Sequence, residues 1–150
     1  MAVIRGHCMA GGLIFALCHD FRIMKKFSGQ LAFSEVTVGR CLPPAYNFIV
    51  KSVLPMYALR TLVMGVMIDT SMAVELEILN GLFKDNLDMI RHIEAFAEEF
   101  APKASNRFVF GELKKRLHAE IIDVCNNDFI TPMDIQVFMR PMKVEGGKKV

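Results

Sequence analysis

The stretch Met9–Met24, "MAGGLIFALCHDFRIM", sets two bare glycines in front of an apolar run that soon turns charged. Upstream, Ala2–Ile4 reads as a short, wholly apolar strand of the kind that suits a parallel sheet covered on both faces. A turn over His7–Ala10 leads to Gly11 and Gly12, and Leu13–Cys18 reads as a buried helix. Glycine at such a junction answers to a positive φ, to tight packing, or to something approaching the backbone closely. The third case supplies a chemical tool. Amides at a helix N-terminus lack partners inside the helix, and the helix dipole favours negative charge there. An oxygen that gains charge during a reaction could rest against them, as in an oxyanion hole. Phosphate binding uses the same physics, but no P-loop Lys-Ser pair follows and GxGxxG is not matched.

Outward from that stretch the chain reads as strand, helix, strand, strand, then mostly helices, an α/β order with a helical second part. Asp20–Lys25 alternates like a strand, Phe27–Gln30 is a turn, and Leu31–Val36 is a third strand-like run that closes on an acid. Past Pro43 and Pro44 two helices, Tyr46–Val53 and Met56–Met64, are separated by Pro55, which would break a continuous one. Thr70 or Ser71 can cap a helix with Glu75 near its first turn and Gly81 as its stop. "LFKD" (82–85) reads as a strand returning to the sheet. Asn86–Phe100 is amphipathic, with Leu87, Ile90, Ile93, Phe96 and Ala97 on one face, and Phe108–Val124 reads as a further helix. The division expected is a core over 1–85, a helical part over 86–141 and a loose tail over 142–150.

Composition narrows the class. The chain has 150 residues, 53% hydrophobic and 23% charged, which suits one globular domain. A net charge of +2, from 18 basic against 16 acidic residues, gives no support to nucleic-acid binding. Lys51 and Arg60 interrupt the longest greasy region, so no run is long enough to span a bilayer. The opening residues have neither a signal-peptide pattern nor an Arg-rich amphipathic one. Cys8, Cys18, Cys41 and Cys125 show no CxxC pair, and the expectation is reduced, mostly buried thiols. Cys8, Cys18, His7 and His19 hold donor atoms without zinc-type spacing, so no metal is expected. The 11 methionines, Met56, Met64 and Met67 among them, are expected to fill core, and Lys114, Lys115 and Arg116 to form a solvated helix face.

Glu35 is the second candidate for chemistry. It ends an apolar run, and partial burial would raise its pKa toward that of a general base; an ordinary solvated glutamate is the plain alternative.

Together, Ala2-Val3-Ile4, Gly6, Gly11-Gly12, Asp20 with Arg22-Ile23, Phe33, Glu35 and Gly39 resemble the crotonase superfamily, the enoyl-CoA hydratases and isomerases. The later "ALRTLVMGVMIDTSMAVELEILNGLF" (58–83) resembles the same family, so the likeness covers roughly Met1–Asp85. It implies a truncated crotonase-like fold. It also implies that the Gly11 amide holds the thioester oxygen of an acyl-CoA, that Glu35 is the acid/base residue, and that Ala10, Gly12 and Ile14 line the substrate. Hydratases of the family carry a second glutamate on the helix after the glycines, and the matching position here is Ile14, which cannot hold water. The resemblance therefore points to the isomerase branch, moving a double bond from the 3- to the 2-position, with no cofactor beyond the coenzyme A of the substrate. In the family the other oxyanion donor and much of the CoA surface come from a half of the fold preceding Ala2. The expectations are thus a fragment or shortened form, weak or inactive alone, that joins trimer-type family oligomers, or another single-carboxylate acyl-CoA enzyme such as a hydratase or thioester hydrolase. The family's isomerases imply a peroxisomal or mitochondrial setting, although the closing "GKKV" (147–150) is not an SKL-type ending.

Overall fold

Strand β1 (Ala2–Ile4) opens the chain in a computed structural model that describes residues 1–127. A two-residue strand β2 (Cys8–Met9) follows and feeds directly into helix α1 (Gly11–Leu17), so a strand stands where the sequence reads only a turn. Next come β3 (Arg22–Lys25), β4 (Gln30–Ala32), α2 (Pro44–Val53) and α3 (Met56–Val63). β5 (Ile68–Asp69), α4 (Thr70–Glu75), β6 (Gly81–Phe83), α5 (Asn86–Phe100), α6 (Arg107–Leu117) and α7 (Ala119–Asn127) complete the described residues. The end of the expected 86–141 helical part and the expected 142–150 tail lie outside them.

Two three-stranded sheets form among the described residues. One is parallel throughout, in the order β1-β3-β6; in the other β2 and β4 are parallel and β5 joins antiparallel. Arg22, Ile23 and Met24 of β3 are all buried, so the strand is covered on both faces and does not alternate as read. Leu13, Ile14, Ala16 and Leu17 of α1 pack into one core with Leu31, Ile49, Val50, Leu62, Ile68 and Ile78. Arg22 is buried and bonded to backbone: its Nε donates to the Ile78 carbonyl at 2.7 Å and Nη1 to the His19 carbonyl at 2.6 Å. Burial pushes its guanidinium pKa down, against the pull of Asp20.

Several boundaries differ from the sequence reading for local reasons. Asp69, not Thr70 or Ser71, caps α4, its Oδ1 accepting from the amides of Ser71 (2.8 Å) and Met72 (2.9 Å). That helix stops at Glu75 and not at Gly81, because Glu77 takes a left-handed φ of 58° and the Ile78 amide turns back to the Ala73 carbonyl at 2.9 Å. The segment Phe108–Val124 is two helices, parted at His118. Only Cys8 is buried, whereas Cys18, Cys41 and Cys125 are exposed, and Met56, Met64 and Met67 lie on the surface instead of in the core. Burial raises the Cys8 thiol pKa; at Cys18 burial and then the charge of Cys125 do the same.

The amphipathic face of α5 is only partly used. Phe96 and Phe100 pack on Phe21, with ring centroids 4.8 and 5.1 Å away, while Leu87, Ile90 and Ile93 stay exposed. Lys114 of α6 is not simply solvated, for its Nζ meets Asp20 Oδ2 at 2.5 Å. Partial burial works against the Asp20 charge, but the bond and charge of Lys114, with His118 and the chain's amino group, hold its carboxyl below the ordinary range.

That pair stabilises the fold above the ordinary aspartate pKa and stops doing so as pH falls through the depressed folded value. Both side chains are partly exposed (37% and 52%), so Lys114→Met is expected to cost only roughly 0.5 kcal/mol near neutral pH. Thermal unfolding should show that gap closing below about pH 4. A larger effect is expected at Gly29, where a Cβ would lie 2.5 Å from the His7 nitrogen and 2.6 Å from the Gly6 carbonyl carbon. Backbone cannot yield cheaply, so Gly29→Ala should destabilise by about 1–3 kcal/mol in urea unfolding.

Candidate active site

Helix α1 starts on a strained residue. Ala10 holds φ 48°, ψ −125°; its amide donates to the Ala32 carbonyl at 3.0 Å, and its carbonyl accepts from Leu13 (3.0 Å) and Ile14 (3.1 Å). No side chain caps the helix, and the amides of Gly11 and Gly12 come too early in it to find an acceptor inside it. Both glycines are exposed, neither has a positive φ, and a Cβ on either would meet nothing within 4 Å. Two of the three reasons for glycine, backbone conformation and internal packing, therefore do not operate at either position.

Glu35 does not sit at a strand end. β4 stops at Ala32, and beyond Ser34 the backbone winds into a turn: the amides of Thr37 and Val38 both donate to the Ser34 carbonyl at 3.0 Å, and Arg40 donates to the Glu35 carbonyl at 2.9 Å. Gly39 releases the turn with φ 65°. The Glu35 side chain is half-buried. Its Oε2 is sealed from solvent and has no hydrogen-bond partner among the described residues. A buried carboxylate oxygen without a donor is costly.

Register brings the two elements together. Cys8 pairs with Leu31 and Met9 with Ala32, so the segments leaving these parallel strands, one to Gly11 and one to Glu35, emerge at the same C-terminal edge. Ligands of open α/β sheets bind outside that edge. Ala10 and Gly12 flank Gly11 there, whereas the Ile14 side chain is turned into the core, only 3% exposed. The three cavities described lie elsewhere. The largest, about 430 Å3, sits at the opposite ends of the same strands between His7, Gln30 and Asp69. The second, about 340 Å3, adjoins Asp20 and Lys114, and the third adjoins Pro55 and Glu77. Among the described residues no three His, Cys, Asp or Glu side chains gather as metal ligands, and no helix is long and apolar enough to cross a membrane.

The sequence reading passed over Gly65, which follows α3 with φ 74° and backs onto the Glu35 turn. A lone glycine closing an apolar helix was the available signal.

No family model matches the chain. The chain is 31% identical over 137 residues to "Enoyl-CoA delta isomerase 3" of Arabidopsis thaliana, covering 87% of this chain and 58% of that protein. It is 28% identical over 144 residues to "Enoyl-CoA delta isomerase 2, peroxisomal" of the same plant, covering 94% and 58%. The chain thus spans a little over half the length of these curated relatives. Among solved structures, an enoyl-CoA hydratase from Mycobacterium ulcerans superposes with a TM-score of 0.69 at 20% identity, over 88% of this chain and 54% of that one, a likeness of fold. The fold is thus crotonase-like over part of its extent, and in sequence the chain is similar to these enoyl-CoA delta isomerases.

Proposed function

We propose that the chain is an enoyl-CoA isomerase-type protein that moves the double bond of a 3-enoyl-CoA to the 2-position. The observation that carries this reading is the buried Oε2 of Glu35, unpartnered among the described residues, on the turn that leaves the sheet at the same edge as Gly11. The Glu35 carboxylate takes a proton from C2, and the electron pair of that C–H bond spreads into a dienolate with its charge on the thioester oxygen. The Gly11 amide donates to that oxygen. The carboxyl then returns the proton at C4 as the new double bond settles between C2 and C3. No water, cofactor or second acid enters the balance.

Two features support isomerisation over hydration. A water-adding site needs a second polar group to orient its nucleophile, and Ile14, on the helix that follows the glycines, is apolar and buried. The curated relatives also carry isomerase names. The peroxisomal name of one of them supports that compartment as the setting. One well-placed oxyanion donor is worth about 3–4 kcal/mol of barrier, and Gly11 offers one. A second reading is favoured by the exposed apolar side chains of α6, Phe108, Leu113 and Leu117: a catalytically inert chain that packs into oligomers of its family.

A 3-enoyl-CoA assay separates the two. Isomerisation by this chain should fall about 100- to 10,000-fold in Glu35→Gln, with thermal stability unchanged or raised by removal of the orphaned charge. If parent and variant are equally inert while sedimentation shows association with a family member, the second reading stands. Addition of water to a 2-enoyl-CoA would refute the isomerase assignment.

A further inference from the structure

Gly65 and the Glu35 turn are pressed together more closely than any side chain would allow. A Cβ on Gly65 would lie 2.6 Å from Cγ1 of Val36, 3.6 Å from Oγ1 of Thr37 and 3.8 Å from the Phe33 carbonyl oxygen. Those three residues bracket Glu35 on both sides. Gly65 is itself pinned to α3, because its amide donates to the Leu62 carbonyl at 2.9 Å and the next amide, of Val66, to the Thr61 carbonyl at 3.4 Å. Its φ of 74° is one that side-chain-bearing residues rarely adopt. Leu62 and Ala58 of α3 are fully buried, so the helix end is an anchored platform and the turn is what rests on it.

Val36 is 60% exposed, and a flexible side chain there could swing aside without consequence. Valine cannot do so freely, because branching at Cβ stiffens χ1. Displacing its Cγ1 by the amount a Cβ on Gly65 requires would push on the backbone adjoining Glu35. The turn has little to resist with, being closed among the described residues by the Ser34 and Glu35 carbonyl bonds.

We infer that Gly65 is a positioning residue for Glu35: the bare end of α3 lets the acid-bearing turn lie flush against it and so sets where the buried Oε2 is held. The steric claim stands on geometry; its catalytic consequence rests on the reading of Glu35 as the proton-carrying group.

The test uses this chain with 13C-labelled glutamate and aspartate carboxyls. In Gly65→Ala the Glu35 carboxyl resonance is expected to move from its parent position while those of Asp69 and Asp85 stay, and kcat for 3-enoyl-CoA should drop about 100-fold with KM little changed. Adding Val36→Ala removes the atom that would clash and should carry both signals part of the way back toward the parent, the left-handed φ of residue 65 keeping its own strain. A glycine needed only for folding would lower the melting temperature and leave the Glu35 resonance in place, which overturns the proposal. Should Gly65→Ala fail to fold, recovery of folding and of the resonance in the double variant supports it, and a double variant no better than the single one overturns it. If the parent turns over no 3-enoyl-CoA, the isomerase reading falls while the resonances still decide the role of Gly65.

Discussion

The parallel pairing of β2 with β4 is the constraint on which the candidate site depends. It is short, Cys8 on Leu31 and Met9 on Ala32, yet it decides that the segment to Gly11 and the segment to Glu35 leave the sheet together. A slip of one residue would shift one element by about 3.3 Å and invert which side chains face the core. Three features guard the register. Leu13, Ile14 and Leu17 clamp α1 into the core immediately after β2. The Ala10 amide extends the ladder by one bond to the Ala32 carbonyl. At the other end of the pair, Gly29 lets the backbone pass against His7 where any side chain would collide. The positive φ of Ala10 is consistent with a junction held by its surroundings, since an isolated alanine would not choose it.

Where backbone chemistry was written locally, the sequence was legible. Asn86–Phe100 has the bounds read from its periodicity, Pro55 parts α2 from α3, and Ala2–Ile4 is a parallel strand. Gly11 and Gly12 open a helix beside a strand end, as the quoted stretch implies. What escaped was set by tertiary partners. The Glu35 run looked like strand because Leu31, Ala32 and Phe33 are apolar and buried, but the Ser34 carbonyl gathers two amides and the chain turns. Glu77 in a left-handed conformation ended α4 early, and no residue preference announces that. The cysteines and methionines were assigned by their usual burial, and Cys18, Cys41, Met56 and Met64 are exposed.

In addition to that exposed apolar surface, the described sheets have open edges. β1 and β2 are edge strands, with one side unpaired among the described residues. Such edges invite pairing, and Phe15, Phe108 and Leu117 add apolar surface that water solvates poorly. The curated relatives are longer than this chain by enough to supply further structure. The chemistry proposed for Glu35 asks little of that remainder, because one carboxylate can serve as both base and acid. Binding a coenzyme A thioester and closing the site from water ask more, and the described cavities do not adjoin Gly11.

The central claim is that Gly11 and Glu35 face one thioester. Titrating acetoacetyl-CoA, whose thioester forms an enolate-like oxygen, into the labelled chain while following the Gly11 amide and the Glu35 carboxyl by NMR tests it most directly. The account predicts that both signals move together over a single saturating curve. Saturable binding that shifts residues around His7 and Asp69 and leaves Gly11 and Glu35 still would contradict it.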